Sequence, residues 1–177
     1  ATLLAEKETD LRLQQRYKEN ATGGASHTFT LTGASGSFYG TLSVTEISGA
    51  ATSGALDQTA TDTDPLGSFN HATAATATTA QANELFVGAG SLDTTSSFTT
   101  DTGAGWTERT NIAGSGTTEG LITGTKIVSA TGAYTYTYTA SASGQCAHLI
   151  STWKEATAAA GVRQQCIGCG ADRKVIE

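Results

Sequence analysis

The apolar residues of this chain recur mostly at every second position. Tyr134, Tyr136 and Tyr138 alternate with Thr135, Thr137 and Thr139, which is the two-residue period of a strand whose faces differ. After a small-residue turn at 141–144 a second run alternates again. Ala147, Leu149, Ser151 and Trp153 share one face, and Cys146, His148 and Ile150 share the other. Two such runs joined by a short polar turn predict an antiparallel hairpin, with the tyrosine stripe and Trp153 in the core.

The same grammar runs through the rest of the chain. Leu3, Leu4, Leu11, Leu13, Gln14 and Gln15 are good helix formers, so residues 2–20 admit a helix. The β character of the rest favours two strands, 2–7 and 11–18, turning at 8–10, the second with Leu11, Leu13, Gln15 and Tyr17 opposite Arg12, Gln14, Arg16 and Lys18. Charge on the open face suits an edge strand. Residues 27–32 (HTFTLT) and 38–48 alternate in the same way, and 49–65 reads as a long polar connection. Further strands are predicted over the Ala/Thr run 72–79, over 84–88 (ELFVG) and over 120–128, with Phe98 and Trp106 as anchors. Nine or ten short strands with turns every 8–12 residues are the signature of an all-β sandwich or barrel.

Several short motifs resemble a β-sandwich module of secreted bacterial and phage virion proteins: 42–50 (LSVTEISGA), 56–60 (LDQTA), 82–87 (ANELFV), 105–109 (GWTER), 126–132 (KIVSATG) and the closing strand ending at Trp153. The resemblance spans roughly residues 1–155. It implies an antiparallel β-sandwich of jelly-roll, lectin-like type over 1–156, usually without a catalytic site of its own. Residues 157–177 then form a linker and a short irregular C-terminal tail. Modules of this kind begin with strands ahead of the segment 2–7. The edge strand 2–7 is therefore expected to take a neighbour from another segment, a second copy or another protein chain.

Charge narrows the partners. The net charge is −6, and no Lys or Arg occurs between Lys18 and Arg109. A surface so poor in cations does not collect phosphates, so nucleic acid is not an expected partner. No apolar run approaches the roughly 20 residues of a membrane-spanning helix. Low charge with abundant Thr, Ser and Gly points to an extracellular or virion surface.

Candidate chemistry is sparse. Cys166 and Cys169, followed by Gly170, have the spacing of one zinc knuckle, and a structural zinc needs four ligands. Cys146 and His148 lie two apart on one strand face and complete a candidate Cys3His set. A disulfide, a knuckle shared between chains and a free-thiol tail are the other readings. Asp57, Asp62 and Asp64 mark a loop that is either a surface calcium site or a solvated acidic loop. Trp106 is the candidate for stacking on a glycan ring. Neither a paired-carboxylate nor a Ser-His-Asp constellation is legible around Glu46, Glu84, Glu108 or the three histidines. The expectation is a non-enzymatic structural or assembly module on an exterior surface, such as a phage virion decoration or tail component or a bacterial surface protein. A carbohydrate-binding module is the alternative.

Overall fold

A computed structural model describes residues 2–8, 12–31, 40–64, 68–115 and 119–156. Among these the chain is all-β: β1 (Thr2–Glu8), β2 (Arg12–Tyr17), β3 (Leu56–Asp62), β4 (Asn70–Ala72), β5 (Glu84–Leu92), β6 (Phe98–Thr100), β7 (Thr107–Ile112), β8 (Gly120–Val128), β9 (Thr137–Ala140) and β10 (Cys146–Lys154). Every pairing is antiparallel. A five-stranded sheet has the order β3-β10-β5-β8-β7, a three-stranded sheet the order β4-β9-β6, and β1 and β2 form a hairpin. The expected sandwich is thus present, with the 2–18 hairpin as its first element.

The central strands β10 and β5 are buried along nearly their whole length, because the five-stranded sheet is covered on both faces. Towards the three-stranded sheet it presents Cys146, Ile150, Phe86, Leu92, Ile122 and Val128, which pack with Tyr136, Tyr138, Phe98 and Trp106. On the other side Ala147, Leu149, Ala89 and Leu121 meet Leu13 of β2. There Trp153 packs edge-on against Tyr17, with ring centroids 5.1 Å apart. A sheet covered on both faces reads as continuous burial even though its side chains still alternate.

Room for the tyrosines comes from missing side chains. Gly88 of β5 lies opposite Ile150 on one side and Gly124 on the other, and the Tyr136 ring occupies the space over both glycines. The Tyr138 ring lies over Gly90 in the same way. Flat aromatic rings seated on glycine backbone bring the two sheets close together.

Three expectations change. The runs 134–139 and 146–154 do not form a hairpin: β9 pairs with β4 and β6, while β10 pairs with β3 and β5. The turn between them carries the chain from one sheet to the other. The polar connection 49–65 contains β3, an edge strand paired on one side only. The described parts of the alternating runs 27–32 and 38–48 form no ladder.

The Ala/Thr run is strand only to Ala72. Beyond it, the buried residues fall at every third position: Thr73, Thr76 and Thr79. Their N–H groups donate to the carbonyls of Tyr136, Tyr134 and Gly132, each at 3.0 Å. Their hydroxyl oxygens accept from the N–H groups of the same three residues at 3.0, 3.1 and 3.2 Å. A three-residue repeat matched to a two-residue one satisfies every backbone group facing it without a ladder.

Candidate metal centre

The site is assembled where the two sheets meet at one end of the sandwich. The alternation of β10 turns Cys146 and His148 to the inner face. β4 has only three residues, of which Asn70 and Ala72 are exposed and His71 is buried against Tyr138, its partner in register on β9. Asp64 follows two residues after the end of β3 and supplies the one partly exposed side chain, 20% accessible. One ligand atom from each of Asp64, His71, Cys146 and His148 lies within 4.8 Å of all the others.

The internal geometry is specific. His71 Nδ1 is 2.8 Å from Asp64 Oδ2 and 3.5 Å from Cys146 Sγ. His148 Nε2 is 3.9 Å from Asp64 Oδ1. The backbone N–H of Asp64 donates to Cys146 Sγ at 3.3 Å. His148 Nδ1 meets the Tyr138 hydroxyl at 3.3 Å, and the Tyr138 ring stacks on His71 with centroids 4.9 Å apart and planes 23° apart. Burial raises the Tyr138 hydroxyl far above its ordinary pKa, so it remains a neutral donor or acceptor.

This arrangement is not a nucleophilic triad. A Cys-His-Asp relay needs the carboxylate on one ring nitrogen and the thiol on the other. Here Asp64 and Cys146 both face Nδ1 of His71. Burial pushes the Cys146 thiol up to about 11, with the carboxylates of Asp64, Asp62 and Asp93 adding to the rise. What the four side chains can do is converge on one cation.

The structure therefore joins Cys146 and His148, as the sequence predicted, but completes the set with Asp64 and His71. Cys166 and Cys169 lie outside the described residues. His71 could not be foreseen as a partner, since it is 75 residues from Cys146 and its three-residue strand carries almost no pattern. Asp57, Asp62 and Asp64 take separate partners. Asp57 Oδ2 accepts from the Ala80 N–H at 2.6 Å and Asp62 Oδ1 from the Thr63 N–H at 2.8 Å, while Asp64 turns inward to His71. Among the described residues, Asp64 alone of the three belongs to a group able to hold a metal.

Trp106 cannot be a glycan platform. It is 3% exposed and packs edge-on against Tyr136 with centroids 4.7 Å apart, so no face is open to a sugar. The edge of 2–7 is paired on one side, with 12–17 of β2. No described helix is long and apolar enough to cross a membrane. Comparison with protein-family models, curated proteins and solved structures finds no match to the chain.

Proposed function

We propose that this chain is a non-enzymatic structural module that assembles with copies of itself on an exterior surface, such as a phage virion or a bacterial surface structure. The observation that carries the reading is a set of exposed apolar side chains, Leu42 and Val44 foremost, beside the edge of the five-stranded sheet. Thr41 donates to the Glu119 carbonyl at 2.7 Å, and Ser43 meets Thr110 of the edge strand β7 at 2.7 Å. These two contacts hold the segment against the end of the five-stranded sheet. Leu42 and Val44, which alternate with them, face outward at 49% and 52% exposure.

Phe29 and Leu31 are also exposed, at 61% and 46%, in a segment exposed on both sides. Strand-type alternation with an uncovered apolar face is the pattern of a surface that another chain covers. Both segments repeat the same Thr/apolar alternation, so a second copy offers a face of matching character. The Thr-, Ser- and Gly-rich, charge-poor composition supports an exterior location, as does the resemblance to secreted and virion sandwiches.

Light scattering on the full chain tests the reading. We expect concentration-dependent self-association that Leu42→Asp/Val44→Asp abolishes while the far-ultraviolet circular dichroism stays unchanged. A wild-type chain that remains monomeric at millimolar concentration would overturn it.

A further inference from the structure

We infer that Asp64, His71, Cys146 and His148 form a structural zinc site that fastens the three-stranded sheet to the five-stranded one. This inference is independent of the proposed assembly role. The donor set is one thiolate, two imidazoles and one carboxylate, the N/S/O mixture that a tetrahedral Zn2+ accepts. Four protein ligands close the coordination sphere, which distinguishes a structural centre from a catalytic one with an open position.

Distances support tetrahedral packing around a single ion. Zn–N of about 2.05 Å and Zn–S of about 2.3 Å imply ligand-to-ligand edges of about 3.4 Å for N–N or N–O and about 3.6 Å for S–N. The observed Sγ–Nδ1 edge is 3.5 Å, and one ligand atom from each of the four residues lies within 4.8 Å of the others. Asp64 gives one oxygen to the ion; its Oδ2 lies 2.8 Å from His71 Nδ1 and its Oδ1 3.9 Å from His148 Nε2, so the carboxylate edges bracket about 3.4 Å and a small turn of the carboxylate sets them.

Charge and the surrounding groups agree with this. Carboxylate and thiolate bring two negative charges, and two neutral imidazoles add none, so a divalent ion makes the cluster neutral in a place where net charge is costly. The Tyr138 hydroxyl at His148 Nδ1 leaves Nε2 to face the ion, and the Asp64 N–H at Sγ supports a thiolate. Such outer contacts orient ligands at built metal sites. The partly exposed Asp64 lies on the solvent side and gives the ion a way in.

The architecture has a use for the ion. The three-stranded sheet is made of strands of only three, four and three residues, so an ion bridging it to the five-stranded sheet adds to the packing of Phe98, Tyr136 and Tyr138. His71 is the ligand on that sheet; Cys146, His148 and Asp64 belong to the β10 and β3 side.

Elemental analysis and thermal denaturation of the full chain are the test. The protein purified without chelator should carry about one zinc per chain. After chelation, zinc added to about a hundred times Kd should raise Tm by on the order of 5–10 °C. Cobalt(II) should give the visible bands of a tetrahedral site together with thiolate-to-cobalt charge transfer. Cys146→Ser and His71→Gln should each lose the metal, whereas Cys166→Ser/Cys169→Ser and His27→Gln should keep it.

Each contrary result overturns the assignment. Loss of zinc in the Cys166→Ser/Cys169→Ser variant would move the site to the tail. A chain that is purified with copper in place of zinc, showing an intense thiolate-to-copper band, would make it a different centre. A folded wild-type chain that carries little zinc and shows the same Tm with and without it would remove the site altogether, whatever the ligand variants do.

Discussion

The tightest steric statement in the fold concerns Gly88. A Cβ built on this residue would fall inside the Tyr136 ring: even the third-nearest ring atom, Cδ2, would be only 2.6 Å away. Carbon atoms pack at about 3.5–4.0 Å, so Gly88→Ala requires the ring to retreat by about 1 Å or more. It has nowhere to go. Tyr136 is fully buried, Trp106 stands 4.7 Å away, Tyr138 5.4 Å away, and Gly124 backs the outer edge of the ring. Overpacking of a tight core costs about 1–3 kcal/mol and sometimes more; here the top of that range, about 3 kcal/mol, is expected. For a chain of this length 1 kcal/mol moves Tm by about 2–4 °C, which gives a fall of roughly 6–12 °C. Tyr136→Ala alone should cost about 3–5 kcal/mol through the cavity it leaves. In that background Gly88→Ala should be close to neutral, because the clash has been removed. Denaturant titrations of the four proteins close the cycle. Equal losses from Gly88→Ala in both backgrounds would refute the packing account, as would no loss in the wild-type one.

Two further outcomes follow from buried polar groups. Glu84 at the start of β5 is 1% exposed, and burial raises its carboxyl pKa above the ordinary 4.5, with Asp57 adding to the rise. The folded state therefore binds this proton more tightly than the unfolded one. The stability it contributes is fully present below 4.5 and is lost as pH rises through the raised folded value. Glu84→Gln should remove that loss, so the difference in Tm between variant and wild type should grow in the variant's favour from about pH 4 to about pH 7; parallel curves would contradict it. Thr76→Ala deprives the Tyr134 N–H of its 3.1 Å acceptor and should cost about 1–3 kcal/mol while speeding exchange of that amide. Thr76→Ser should recover most of the loss, and equal losses for both would place the effect in the methyl group.

Strand positions were legible where local pattern alone decides them. Leu13 and Tyr17 of β2, the run 84–88 and the run 146–154 have alternation or apolar density that favours a strand, and each lies in one, β5 continuing to Leu92. Partners were not legible, because a period of two says nothing about which strand lies alongside. The tyrosine strand looked like the first arm of a hairpin, yet it faces β10 across the sandwich instead of pairing with it. A clue to this lay elsewhere in the sequence, in Gly88, Gly90 and Gly124. Strand glycines at two-residue spacing are seats for large rings from an opposing sheet. β3 was missed because its burial is intermediate along most of its length, as befits an edge, and Leu56 is its single large apolar residue.

The cluster of Asp64, His71, Cys146 and His148 shows the same division between what is local and what is not. That Cys146 and His148 share a face follows from their spacing. The other two members depend on two registers that no local pattern encodes. His148 lies opposite Asp62 on β3, so the chain leaving that strand brings Asp64 past Cys146. His71 lies opposite Tyr138 on β9, and Tyr138 in turn sits over Gly90, the partner of His148 in β5. The site is thus located by the Tyr138–Gly90 contact as much as by its own ligands. A side chain at Gly90 would meet Tyr138 Cε1 at 2.5 Å, and moving that ring would shift both the stacking partner of His71 and the hydroxyl at His148 Nδ1. The rings that set the spacing of the two sheets also bring these four side chains together.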